Sequence, residues 1–331
     1  MEEILILFID KIALRKNVAS IKNNSGKELI YVAKNDCYGL KCENVLPYID
    51  DCVFMYAVKS AAETFRIKQF TQKDVLVLMP PIDDIEEKFD AKNVVFTVDC
   101  VESASKLKNI ENPRVHVKFN SGMNRFGVDS FYEFEKLIEY LEKSGMTVGG
   151  AYTHLYSNAN ENCKRQLEKF EKIAEIMPFT HVTYRTALNG TNYAPYSAVR
   201  SGICVLGGEE GFSQGIKLTA KVIKLRHITR GDTVGYDAEH VAGKDETVAV
   251  IDFGYNNMAI KKIKGQKVLI NGAFYPIISV AMDVCFVRVD ENVSLFDEVI
   301  VSCDRNELRL TDYAKNIGTC SHELITSIKP N

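Results

Sequence analysis

The sequence predicts an α/β fold: an N-terminal (β/α)8 TIM barrel over residues 1–215, followed by a mainly β domain over residues 216–331. Three observations predict it. Eight short runs rich in apolar and β-branched residues recur up to about residue 207. Most are separated by amphipathic stretches with apolar residues three and four apart, the spacing a helix face requires. After about residue 215 strand-like runs continue, but turns rather than helices separate them. An open doubly wound sheet of seven or eight strands shares the same alternation and stands as the competing arrangement.

The runs are ELIYVAK (28–34), DCVFMYAV (51–58), DVLVLM (74–79), NVVFTV (93–98), RVHVKF (114–119), TVGGAYTH (147–154), THVTYRT (180–186) and AVRSGICVLG (198–207). SAAETFRIKQF (60–70) and SFYEFEKLIEYLEKSG (130–145) read as helices, the second capped by Gly145. The later runs are IKLTAKVIKLRHI (216–228), ETVAVIDFGY (246–255), QKVLINGAFYPIISVAMDVCFVRVD (266–290) and DEVIVSC (297–303). Asn271-Gly272, inside alternating hydrophobics, predicts a two-residue hairpin.

Composition narrows the function. The 331 residues are 46% hydrophobic and 26% charged, as in a soluble globular protein. A net charge of −3 gives no electrostatic reason to expect nucleic acid or an anionic membrane as partner. Nine cysteines without a C-x-x-C pair predict reduced thiols and a cytoplasmic protein. The start, MEEILILFIDK, lacks the basic region of a secretory signal, and no apolar run reaches the length of a membrane span. No G-x-G-x-x-G, P-loop, H-E-x-x-H or G-x-S-x-G pattern occurs. The six histidines show no paired ligand spacing, so no metal site is expected.

In a (β/α)8 barrel the chemistry sits at the C-terminal ends of the strands. Lys34 ends the first run, Lys118 lies near the end of the fifth, and Arg125 follows in NSGMNRFG. His154 ends the sixth and Arg200 lies in the eighth. Singly, each has an ordinary explanation: a solvated lysine, a satisfied histidine, a structural arginine. Together they would ring one mouth with two lysines, two arginines and a histidine.

These segments resemble the alanine racemase family. YVAKNDCYGL, around Lys34, is similar to its pyridoxal-phosphate lysine segment V-x-K-A-x-A-Y-G-H-G, and HVKFNSGMNRFGV (116–128) to K-x-D-T-G-M-x-R-x-G. GGAYTHLYSNAN (149–160), VRSGICVLGG (199–208), VGYD (234–237), IDFGYNNM (251–258) and ISVAMDV (278–284) resemble later segments, in family order. The resemblance implies a pyridoxal 5'-phosphate-binding barrel followed by a β domain, in a homodimer whose sites are completed by the other subunit. It implies that Lys34 forms a Schiff base with the cofactor. Tyr38 and the backbone N–H groups of Gly202 and Ile203 would bind the phosphate, and His154 would lie beside the ring. Arg200 would face the pyridine nitrogen and, as a donor only, keep it unprotonated. Lys34 would serve one face of the α-carbon and Tyr236 of the partner subunit the other. A tyrosine near pKa 10 is a poor base, and positive charge from His154 and Arg200 would draw it down. Arg125 and the N–H of Met282 would hold the substrate carboxylate. Lys118 matches a lysine that is carbamylated in many members.

Departures from the family pattern gather at the expected substrate entrance and phosphate rim. The usual aspartate after Lys-x is Asn120. Aligning ALNGTN (187–192) with A-N-S-A replaces a phosphate-binding serine by Gly190, with Thr191 beside it. His322 stands where a phosphate-binding gate tyrosine is expected, and Ser279 where an arginine is. Three functions stay open: a racemase of alanine or another small amino acid, a decarboxylase or epimerase of a different amino acid on the same fold, and a non-catalytic cofactor-binding relative.

Overall fold

The structure, a computed structural model, describes residues 6–157, 159–258 and 261–329. It divides into two compact units. One holds Val18–Cys37 and Leu46–Gly202; the other holds the chain up to Asn17, Tyr38–Val45 and the chain from Ile203 onward. Strand β1 (Ile6–Ile9) belongs to the second.

The first unit is built on eight parallel strands: β2 (Glu28–Val32), β3 (Met55–Val58), β4 (Val75–Val77), β5 (Val94–Val98), β6 (Arg114–Phe119), β7 (Thr147–Thr153), β8 (Thr180–Thr183) and β9 (Ala198–Ser201). They close into a barrel in chain order, β9 returning to pair with β2 from Glu28↔Ala198 to Tyr31↔Ser201. Closure excludes the open sheet. Strands β3, β4 and β5 are buried at every position, which is why they read as continuous apolar runs. Ile30, Met55, Leu76, Val95, Tyr152 and Ala198 pack together inside.

The helix Phe131–Lys143 shows how its sequence sets its ends and its inner face. Ser130 accepts the Glu133 N–H at 3.2 Å as N-cap, and Phe134, Leu137 and Leu141 are buried. Gly145, two residues past the helix end, adopts φ +73°. Two connections depart from strand–helix alternation. No helix joins β4 to β5, and β8 runs to β9 through the 3-10 turns Thr186–Leu188 and Thr191–Tyr193.

In the second unit β10 (Ile216–Ile228) is long enough to pair antiparallel with β1, β13 (Glu246–Ile251) and β17 (Glu298–Ser302). The sheet is completed by β14 (Lys267–Ile270), β15 (Ala273–Val280) and β16 (Cys285–Val289), in the order β1-β10-β13-β16-β15-β14-β17. Asn271 (φ +50°) and Gly272 (φ +84°) form the hairpin between β14 and β15, both left-handed as its tight turn requires. A separate ribbon, β11 (Thr233–Val234) and β12 (His240–Val241), carries Tyr236 in its connection. Two helices not expected from the sequence, Leu310–Ile317 and Ser321–Ser327, end the described chain. No helix among the described residues is long and apolar enough to cross a membrane.

Candidate active site

Lys34 follows the C-terminal end of β2 and opens a left-handed turn. Asn35, Asp36, Cys37 and Tyr38 have φ of +54°, +51°, +56° and +60°. Each non-glycine residue in this region costs about 1–2 kcal/mol, so the surroundings must impose it. Glu63 accepts the Asn35 N–H at 3.0 Å, and Ala33 O accepts the Cys37 N–H at 3.0 Å. Burial lowers the Lys34 amine below its ordinary range, and the charges of Arg125 and Lys59 push the same way against Glu63. A neutral amine is thereby favoured, as nucleophilic use requires.

Lys118 points into the barrel from β6 and is 5% exposed. Its ammonium lies 5.0 Å from the Phe126 ring and 5.7 Å from the Tyr152 ring. Burial, then Arg125 and Arg200, bring its pKa down to about 7 against the opposing Asp99. Arg125 sits in the loop that follows. Asn120 organises that loop: its Oδ1 accepts from the N–H of Gly122 (3.1 Å) and Asn124 (2.9 Å), while its Nδ2 donates to Asn124 Oδ1 (2.9 Å) and Asp129 Oδ1 (2.6 Å). The two donations explain the amide, because a carboxylate there would face Asp129. Gly127, at φ +117°, closes the loop where a Cβ would lie 2.6 Å from Asn120 N. Arg125 makes no hydrogen bond or ion pair among the described residues, yet its charge acts on Lys34, Lys118 and His154.

Arg200 is buried in the mouth. Its Nη1 donates to His181 Nδ1 (2.5 Å) and His181 O (2.9 Å); its Nη2 donates to Thr153 O (2.6 Å) and Thr183 Oγ1 (3.3 Å). Four of the five guanidinium N–H groups are thus used, and the one on Nε finds no acceptor among the described residues. Burial lowers its pKa to about 10, leaving it charged at neutral pH. Its Cζ lies 4.5 Å from the Tyr152 ring centroid, and His181 stacks on that same ring at 4.7 Å. His154 Nδ1 pairs with Thr183 Oγ1 at 2.9 Å. Burial and the charges of Arg200, Arg125, Arg185 and Lys118 drive the His154 pKa down to about 2. It is therefore neutral and does not supply the positive charge expected of it. Gly202 follows β9, and its N–H, like that of Ile203 in the second unit, meets no acceptor among the described residues.

The second unit brings Tyr38 and His322 together, with ring centroids 6.1 Å apart. Tyr236 is 62% exposed and Met282, in the turn after β15, is 50% exposed. The Tyr236 turn is fastened from behind: Glu239 N–H donates to Tyr236 O at 3.1 Å, and Ser279 Oγ donates to Glu239 Oε2 at 2.7 Å. A Cβ on Gly235 would meet Ser279 Oγ at 1.9 Å, so the glycine at 235 makes room for the Ser279 side chain. The Met282 N–H has no acceptor among the described residues, while Met282 O accepts from Asn256 N–H at 2.8 Å.

A second sequence expectation is corrected. Gly190 is not at the C-terminal ends of the strands. Its N–H donates to Asn24 O at 2.9 Å, and nearby Ala194 O accepts from Lys27, just before β2, at the opposite face of the barrel. The side chain of Thr191 lies outside the described part. The residues that do follow β8 at the mouth are Tyr184 and Arg185, which the motif alignment passed over. It also passed over His181 and His116, although RVHVKF and THVTYRT each put a histidine on one face of a strand at period two.

Five basic side chains therefore belong to one barrel mouth: Lys34, Lys118, Arg125, Arg185 and Arg200. The two carboxylates acting on them are already engaged. Glu63 accepts from Asn35 and Lys59 N–H, and Asp99 accepts from Ser103 Oγ (3.0 Å) and Gly127 N–H (3.1 Å). Such a mouth attracts an anion and keeps amines neutral.

Comparison with known proteins follows this geometry. Residues 9–210 match the family model "Alanine racemase, N-terminal domain", and residues 216–331 match "Alanine racemase, C-terminal domain". The alanine racemase of Streptococcus uberis is 26% identical over 343 residues, covering 96% of this chain and 93% of the relative. That of Streptococcus pyogenes serotype M6 is 28% identical over 344 residues, covering 95% and 93%. Among solved structures, an alanine racemase of Clostridium difficile 630 superimposes with a TM-score of 0.90 at 24% identity, over 99% of this chain and 94% of that one. One from Bacillus anthracis with bound L-Ala-P gives 0.87 at 23% identity, over 99% and 93%. At these identities the structural likeness speaks to the fold.

Proposed function

The chain belongs to the alanine racemase family, and from that premise we propose that it is a pyridoxal-phosphate-dependent racemase of alanine or another small amino acid. The observation that carries this reading is the mouth ringed by basic side chains, with an amine whose pKa burial lowers at its edge and with its two acting carboxylates, Glu63 and Asp99, already engaged. It suits a ligand that brings a phosphate and a substrate that brings a carboxylate. The residues fit the cofactor: an amine to bind its aldehyde, a spare Arg200 Nε–H for its ring nitrogen, and unpartnered N–H groups at Gly202 and Ile203 for its phosphate. When bound, pyridoxal phosphate supplies the electron withdrawal that acidifies the α-carbon of an amine joined to it.

The protein's part is to bind, orient and move protons. Lys34 Nζ removes or returns a proton on one face, and the phenol oxygen of the partner subunit's Tyr236 does so on the other. Arg200 donates a hydrogen bond without giving up its proton, so it would leave the ring nitrogen unprotonated, which limits electron withdrawal and favours proton return over other outcomes. His154, held neutral, packs beside the ring. Arg125 and the Met282 N–H orient the carboxylate, and Tyr38 and His322 belong to the phosphate end. In this reading the barrel domain (1–215) holds the cofactor, and the β domain (216–331) completes the site of a second copy in a homodimer. The exposure of Tyr236 supports that assignment.

Lys118 is assigned as a carbamylated lysine. Its neutral amine attacks carbon dioxide: an N–C bond forms, the π bond of one C=O breaks to leave that oxygen negative, and an N–H proton passes to solvent. The product carries negative charge, so the repulsion that Arg125 and Arg200 exert on the ammonium becomes attraction.

Proton NMR in D2O, with pyridoxal phosphate and a panel of L-amino acids, tests the reading. Loss of one amino acid's α-proton signal, with its D-form appearing, is the expected result and names the substrate. New methylene signals of an amine would make the protein a decarboxylase instead. No exchange with any amino acid would sink the racemase assignment.

A further inference from the structure

We propose that Arg185 is a phosphate-binding residue: its main chain stands abreast of Gly202 just past β8, and its buried, unpaired guanidinium Nε–H serves the phosphate monoester dianion of the cofactor. The inference rests on the pyridoxal-phosphate reading above and adds to it a charged contact at a position where the sequence alignment supplied only Gly190.

Strand register carries the placement. Thr183 pairs with Arg200 across β8 and β9, and the Tyr184 N–H donates to Arg200 O at 2.9 Å. Two residues further along two parallel strands, Arg185 stands abreast of Gly202. Arg185 is still extended, with φ −141° and ψ 127°, so it continues the face that His181 and Thr183 present to Arg200. Its main chain is held at both polar atoms by one hydroxyl: Tyr193 Oη accepts the Arg185 N–H and donates to Arg185 O at 2.8 Å. Tyr193 is buried and stacks on Tyr184, with centroids 5.9 Å apart, so this anchor is rigid.

The side chain is held at one end and unpaired at the other. Nη2 donates to Leu155 O at 2.6 Å, which fixes the plane of the guanidinium. Nε is buried and has no hydrogen-bond partner. No carboxylate pairs with Arg185 among the described residues. A buried guanidinium N–H without an acceptor costs about 1–3 kcal/mol or more, and a dianion accepting from it removes that cost. The loops after the last two strands of a (β/α)8 barrel commonly form its phosphate site. Here those loops open with Arg185 and Gly202.

Binding of pyridoxal phosphate and of pyridoxal, measured by equilibrium dialysis on full-length wild type, Arg185→Gln and Arg185→Lys, tests the proposal. Phosphorus NMR of the bound cofactor and thermal unfolding accompany it. The expected result is that Arg185→Gln weakens pyridoxal phosphate about ten- to hundredfold while pyridoxal affinity holds, and Arg185→Lys recovers part of the loss. The bound phosphorus resonance moves in Arg185→Gln. Equal loss for both ligands would mean that Arg185 only supports the Leu155 carbonyl, and that overturns the proposal, as does unchanged affinity for both. A wild type that binds pyridoxal phosphate no better than inorganic phosphate overturns the cofactor reading and this inference together. It is told apart because it appears before any substitution is made.

Discussion

Arg200 Nη1 lies 2.5 Å from His181 Nδ1, and because a guanidinium only donates, it fixes that nitrogen as an acceptor. The neutral His181 ring then carries its proton on Nε2, which donates to His116 Nδ1 at 3.0 Å. One permanent charge at the mouth thus sets the tautomers of two histidines inside the barrel.

That arrangement predicts acid sensitivity. Burial lowers His116 to about 3 and His154 to about 2, and holds His181 well below its ordinary value. In the unfolded chain each titrates near 6.5. Below that pH the unfolded state binds more protons than the native state, so stability falls as pH falls, by up to about 1.4 kcal/mol per unit for each histidine still neutral. Urea unfolding between pH 7.5 and 5 is expected to show the loss (roughly, over the range where histidine rather than carboxylate titration dominates). Constant stability over that range would contradict the burial of these rings as neutral species.

Asn120→Asp tests what holds Arg125. The substitution deletes two donated hydrogen bonds and sets a carboxylate against Asp129. KM for the amino acid is expected to rise about tenfold, with cofactor affinity little changed. An unchanged KM would show that the loop holds Arg125 without the amide.

Ser279→Ala removes the hydroxyl that fastens Glu239 behind the Tyr236 turn. Tyr236 then loses orientation rather than chemistry, and kcat is expected to fall about three- to tenfold with KM nearly constant. A change confined to KM would detach Ser279 from Tyr236.

Lys118 offers a spectroscopic check. With its pKa brought to about 7, the amine is increasingly neutral as pH rises through that value. A carbamate carbon signal from 13C-bicarbonate is expected to grow across the same range and to be missing in Lys118→Ala. Equal signals in the two proteins would assign it elsewhere.

The barrel was legible because strands buried on both faces leave unbroken apolar runs, as in Met55–Val58 and Val94–Val98. β1 was not, since four residues carry little pattern and their partner β10 begins more than two hundred residues later. The candidate site was legible where one residue type at a strand end carries the signal, as at Lys34, His154 and Arg200. It failed at Arg185, where matching letters displaced the motif onto Gly190, at the other end of the barrel. The alternation His181, Thr183, Arg185 in THVTYRT puts Arg185 on the face that meets Arg200, but only a known strand boundary turns that alternation into a position at the mouth. The roles of Asn120 and Ser279 depend on Asp129, Glu239 and Gly235, contacts that no local pattern encodes.

The most direct test of the central claim mixes two inactive variants. Lys34→Ala and Tyr236→Phe are each expected to abolish racemisation alone. If Lys34 of one subunit works with Tyr236 of the partner subunit, a heterodimer of the two carries one intact site and one doubly damaged site. Subunit exchange should then restore about a quarter of wild-type racemisation, from half the dimers having half their sites. No recovery on mixing, with both variants folded and exchanging subunits, would contradict a shared two-base site.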